Sequence, residues 1–220
     1  MNAAEYDTWY ETPRGRWVGE RETALILEQL QPCQGESLLD VGCGTGYFTR
    51  NLAAAINGPV TGVDINPEWV AYARGRDPGK TTYDIADARA LPFADRSFDL
   101  ATSITALCFI AEEQTAISEI LRVARRRFAI GLLNRHSLLW LREGKKGGGY
   151  QGAHWHTVRE ATRLFQDHPV KNLRVNTAIQ IPTDSEFARI IERLLPPTLP
   201  TGAFILVTGD KADMGKGGSD

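Results

Sequence analysis

No stretch of this 220-residue chain runs apolar for the roughly 18 residues that a membrane-spanning helix needs. Its opening residues, among them Asn2, Glu5, Tyr6 and Asp7, also lack the basic-then-apolar order of a secretory leader. Neither insertion nor export is therefore expected, and the expected location is cytoplasmic. Cysteine is scarce: Cys33, Cys43 and Cys108 are odd in number and far apart, which excludes a disulfide framework and a local zinc motif and suits a reducing compartment. Charge of one sign is lacking too. With 25 basic and 27 acidic residues the formal net charge is -2, so no global field draws the chain to phosphate backbones, and no nucleic-acid partner is expected.

What is present is enough apolar material, 42% of residues, for one globular core, read as a single domain over 1–209 with a disordered tail over 210–220. Short apolar runs at Ser37 to Val41, Val60 to Val63, Phe98 to Ile104 and Phe128 to Leu133 read as buried strands. Helical spacing lies between them, clearest at Ile117, Ile120, Leu121 and Ala124, and this alternation predicts an α/β fold around a parallel sheet. Asn66 before Pro67 marks a helix start, and Asp77-Pro78-Gly79 its end.

The last third changes character. The glycine-rich stretch Gly144 to Gly152 reads as a mobile connection, and Thr157-Val158-Arg159-Glu160 as a capping box for a helix over Val158 to Phe165. A strand over Val170 to Ile181 follows. Next comes a helix capped by Thr183 and Glu186, whose buried face is Phe187, Ile190, Ile191 and Leu194, then a strand over Ala203 to Thr208. The late strands are expected to pair antiparallel at one sheet edge. Arg125-Arg126-Arg127 and Lys145-Lys146 read as solvated charge.

The chemistry concentrates at Asp40-Val41-Gly42-Cys43-Gly44-Thr45-Gly46, directly after the first strand. Glycines at alternate positions let the backbone turn sharply and approach a ligand, and the helix that follows presents free N-H groups. Asp64 ends the second strand, where its carboxylate can accept from both hydroxyls of a ribose; the alternative role, a helix cap, is already filled by Asn66. A nicotinamide fingerprint leaves two residues between its second and third glycines, whereas Gly44 and Gly46 are separated by one. Asp40 adds an acidic group suited to a cationic ligand.

These motifs, together with Gly62-Val63-Asp64-Ile65, Asp87-Ala88, Leu91-Pro92-Phe93 and Asp95-Arg96-Ser97-Phe98-Asp99, resemble the class I S-adenosylmethionine-dependent methyltransferases. The resemblance runs from about Tyr6 to Asn134 and is to the type 11 group, similar to the ubiquinone and menaquinone biosynthesis enzymes. It implies a Rossmann-like fold: a seven-stranded, mostly parallel sheet with an antiparallel edge strand and helices on both faces. It also implies S-adenosylmethionine as cofactor. Gly42 and Gly44 would line the methionine moiety, Asp64 would bind the ribose, Ile65 would pack on adenine, and Asp87 would accept from the adenine amino group with the Ala88 N-H nearby; Asp40, Cys43 and Gly46 are also expected to bind the cofactor. Ser103, Ile104 and Thr105 would supply backbone contacts at the end of the fourth strand.

Where many relatives place histidine or glutamate after a leucine, this chain has Leu107-Cys108-Phe109, and Cys108 reads as packing rather than nucleophile. No catalytic residue is assigned. In similar enzymes the segment before the first strand folds over the cofactor, so residues 1–30 are expected to form a helical lid, with Tyr6, Trp9 and Tyr10 as substrate candidates; Arg14 and Arg16 are surface charges without an assigned role. Residues 144–168 form a substrate-side insertion carrying His154 and His156, either of which could be a general base. Without a carboxylate or cysteine at local spacing the pair predicts no metal.

The resulting reading is a methyltransferase acting on a small-molecule acceptor by in-line transfer. A nucleic-acid or protein methyltransferase is one alternative, although no Asn-Pro-Pro-Tyr or Asp-Pro-Pro-Tyr segment follows the fourth strand. A non-catalytic domain that binds an adenosyl ligand is another.

Overall fold

A computed structural model describes residues 2–79, 81–144 and 148–212. Lys145-Lys146 and the residues beyond 212 lie outside these, so the readings made for them are not taken further. The helices are α1 (Ala3–Trp9), α2 (Pro13–Leu30), α3 (Tyr47–Ile56), α4 (Pro67–Arg76), α5 (Glu113–Val123), α6 (Leu138–Glu143), α7 (Val158–Arg163) and α8 (Glu186–Leu194). The strands are β1 (Leu38–Val41), β2 (Val60–Asp64), β3 (Thr82–Ile85), β4 (Phe98–Ile104), β5 (Ala124–Leu133), β6 (Val170–Ala178) and β7 (Phe204–Lys211). They form one sheet in the order β3-β2-β1-β4-β5-β7-β6.

β1 to β5 are parallel, while β7 runs antiparallel between β5 and β6, so the antiparallel pairs lie at this edge of the sheet. From β1 the chain steps outward one way to β2 and β3, then from β4 the other way to β5. Right-handed crossovers therefore put α3 and α4 on one face and α5 on the other. The step direction reverses between β1 and β4, and a crevice opens there at the carboxyl ends of the strands.

α2 is a layer of the core, because Leu25, Ile26 and Leu30 are buried against the sheet and the helix packs on β5, β7 and α3. Of the 1–30 segment only α1 sits apart from the sheet as a cover. α5 buries Ile117, Ile120 and Leu121 as expected, and Ala124 begins β5 with no intervening loop.

β3 is the seventh strand that the resemblance implied, unmarked by an apolar run because only Tyr83 of its four residues is buried. Four other expectations need correction. β6 ends at Ala178, since Ile179 turns into the left-handed region at φ 64°. The helix after it is capped by Ser185, whose side chain accepts from the Ala188 N-H, with Thr183 bonded to Ser185. Its buried residues are Ala188 and Glu192, while Phe187, Ile190 and Leu194 are exposed. β7 continues through Asp210 and Lys211, which the sequence reading assigned to the tail.

The arginine run is also not simply solvated. Arg125 pairs with Asp99, and Arg126 and Arg127 both pair with the buried Glu36, so the three guanidiniums pin β5 to the start of β1 and to β4.

Candidate active site

A cavity of about 660 Å³ occupies the crevice between β1 and β4. Its floor is the glycine turn. Gly42 and Gly44 have φ of 74° and 55°, which β-carbon-bearing residues rarely adopt, and a Cβ on Gly42 would come within 2.2 Å of the Ala106 side chain. Gly46 starts α3 from just behind the wall, giving the helix no side-chain cap. The Thr45 hydroxyl is buried without a partner among the described residues, so the floor carries a spare hydrogen-bonding group.

Asp40 and Asp64 supply acid at two points of the wall. Asp40 is 2% exposed and accepts from the Thr49 and Thr102 hydroxyls at 2.6 and 2.9 Å. Burial outweighs these bonds and pushes its carboxyl up to about 6. At the end of β2, Asp64 accepts from the Gly44 N-H on one oxygen and the Asn66 N-H on the other, both at 2.9 Å. Asn66 itself caps α4. Asp64 therefore braces the glycine turn, and each of its oxygens keeps a lone pair for another donor.

Ile65 is 62% exposed at the cavity wall, an apolar side chain presented to a ligand rather than to the core. Asp87 and Ala88 face the same space. Arg89 grips both oxygens of Asp87, holding its carboxyl below the usual range, and reaches Glu112 at 2.8 Å. From β4, Ile104 and Thr105 reach the wall, whereas Ser103 lies beneath it in the sheet.

The cover is aromatic. Tyr6 and Tyr10 line the cavity, Tyr6 tilts against Trp69 at 5.1 Å, and Tyr10 stacks on Tyr47 at 3.7 Å. Burial raises both lining phenols, which keeps them neutral. α1 is tied down through Asp7, which is 3% exposed and takes Arg50 and Arg76 at 3.0 and 3.2 Å. Arg50 also donates to the Thr45 carbonyl, linking cover and floor. Trp9 packs edge-on against Tyr10, outside the cavity wall.

His154 and His156 are not part of the wall either. They stand side by side, 4.3 Å between ring centres, next to Glu113 at the start of α5. Cys108 packs as expected: it is 1% exposed, its sulfur accepts from the Leu133 N-H, and burial pushes the thiol up to about 12.

Among wall residues, the sequence reading missed Trp69, Arg89, Phe109, Ile110 and Glu112. Trp69 had a usable signal. It sits in the first turn of α4, and helical side chains tilt toward the N-terminus, so it overhangs the crevice. The others needed the chain's return path.

Residues 39–127 match the family model described as a methyltransferase domain. An O-methyltransferase of Penicillium expansum is 41% identical over 49% of this chain and 41% of its own length. An O-methyltransferase of Pyrenophora dematioidea is 29% identical over 74% of this chain and 61% of its own. The chain thus spans less than two thirds of these curated relatives. A solved Thermotoga maritima structure, described as an S-adenosylmethionine-dependent methyltransferase and possible histamine N-methyltransferase, superposes with a TM-score of 0.73. It is 22% identical and aligns over 94% of this chain and 95% of its own, a likeness of fold.

Proposed function

We propose, from a chain whose residues 39–127 match a methyltransferase domain model, that the protein is a class I S-adenosylmethionine-dependent methyltransferase that O-methylates a small, largely apolar acceptor. The carrying observation is the single cavity wall that joins the glycine turn, Asp64, Ile65 and Asp87 to an aromatic cover. The residues fit the cofactor. Asp64 has lone pairs left for ribose hydroxyls, Ile65 offers an apolar contact for adenine, the Thr45 hydroxyl has no partner among the described residues, and Asp40 would attract a cationic ammonium.

When bound, S-adenosylmethionine supplies an electrophilic methyl group on a sulfonium. The chain's part is alignment and exclusion of water. Tyr6, Tyr10 and Trp69 give the cavity an aromatic lining suited to shelter a sulfonium cation, and the Asp7-Arg50 tie keeps α1 seated over the floor. Phe109, Ile110 and Ala111 make the far wall apolar, which favours an acceptor without formal charge. Oxygen as the accepting atom is supported by the O-methyltransferase relatives. A small acceptor is favoured over nucleic acid because Arg125, Arg126 and Arg127 are committed to Asp99 and Glu36.

The test is incubation of the purified protein with methyl-labelled cofactor and a panel of phenols and aliphatic alcohols, with tRNA and protein as comparison substrates. Label entering an ether of a small molecule is expected. Label in the macromolecules alone, or no binding of the demethylated cofactor in calorimetry, overturns the reading.

A further inference from the structure

Beside the cavity, three side chains of metal-binding type converge without any role in the methyl-transfer reading. His154 and His156 lie on an extended segment, so these alternate residues face one side while Trp155 turns the other way into the core, 4% exposed against Trp140 and Tyr150. The segment is pinned by its backbone: the His154 N-H donates to the Cys108 carbonyl, the His156 N-H to the Leu133 carbonyl, and the Arg135 N-H to the His156 carbonyl. Glu113 arrives from the first turn of α5, one residue past the wall residue Glu112.

The donor atoms are already close. Glu113 Oε2 is 2.8 Å from His156 Nε2, Glu113 Oε1 is 3.8 Å from His154 Nδ1, and one donor from each residue lies within 4.8 Å of the others. A tetrahedral ion with bonds of about 2.1 Å separates its ligands by about 3.4 Å, so donor separations must change by no more than about 1.4 Å, within reach of side-chain rotation, to close the site. His156 is 1% exposed, and its Nδ1 has no partner among the described residues; its one polar side-chain contact is Glu113. That leaves a buried imidazole under-satisfied. The His154 side chain is 56% exposed, so this flank is open to solvent.

We propose that Glu113, His154 and His156 bind a divalent transition-metal ion of the zinc class, with a coordination position open to solvent on the His154 flank. Two imidazoles and one carboxylate select a borderline metal over magnesium or calcium, which prefer oxygen sets. Histidine spacing alone gave no such site, because its third ligand lies far away in sequence and is delivered by the start of α5.

The experiment uses the untagged chain, stripped with chelator and titrated with cobalt(II), then zinc(II). One equivalent of cobalt with tetrahedral visible bands, displaced by zinc, is expected. His154→Ala and Glu113→Gln, which spare the buried His156, should each weaken zinc at least tenfold while circular dichroism and affinity for the demethylated cofactor stay unchanged. No stoichiometric binding, or equal affinity in both variants, overturns the proposal. Loss of methyl transfer in His154→Ala without any metal binding also overturns it, assigning the imidazole to proton transfer instead. The cofactor-affinity readout separates failure of this site from failure of the methyltransferase reading.

Discussion

Asp64 and Asp40 show how differently two carboxylates of one cavity can be used. Asp64 has spare lone pairs after bracing the glycine turn, so Asp64→Ala should remove charge-assisted bonds of about 1.5 to 3 kcal/mol each and weaken the demethylated cofactor tenfold or more in calorimetry. Unchanged affinity would reduce Asp64 to a brace. Asp40 instead titrates, because burial lifts its carboxyl to about 6. Only its ionised form attracts a cation, so affinity should be flat above pH 7 and fall by up to about tenfold per unit as pH drops below 6. Asp40→Asn should abolish that slope; a slope that survives would place the titrating group elsewhere.

At the scale of elements, α8 separates pattern from placement. Phe187, Ile190, Ile191 and Leu194 are spaced as a buried stripe, yet Ala188 and Glu192 face the protein. The reason lies just after β6. The left-handed Ile179 ends the strand and leaves its own N-H and that of Gln180 turned away from β7, and the Glu192 carboxylate accepts both, at 3.0 and 2.8 Å, while pairing with Arg21. A pattern of apolar residues carries no information about such a demand. Glu192→Ala should therefore cost about 3 kcal/mol in chemical denaturation. Leu194→Gln should stay within about 0.5 kcal/mol. A large loss in the second variant would return the stripe to the core. α5 shows the opposite case: its apolar face was legible because no buried polar group competes for it.

For the whole molecule, pH should act through Glu22, buried in α2, whose carboxyl burial and the nearby Glu192 push up to about 8. A folded-state value raised above 4.5 means that the stability tied to the protonated form is fully present below pH 4.5 and lost as pH rises through 8. The midpoint of thermal unfolding should accordingly fall between pH 6 and 8.5, and Glu22→Gln, which mimics the protonated acid, should flatten the curve and stabilise the protein at pH 8.5. A parallel decline in the variant would rule Glu22 out. By itself the sequence determined the strand-and-helix alternation, the glycine turn and the carboxylates that follow β1 and β2, since these depend on neighbouring residues whose spacing is written in the chain. Only the tertiary structure decided which face of α8 is buried, that Arg125 to Arg127 are paired, that Trp9 stands outside the cavity wall, and that Glu113 meets His154 and His156. Each of those depends on which distant groups return to the same place, and that is set by the packing of the whole sheet rather than by local spacing.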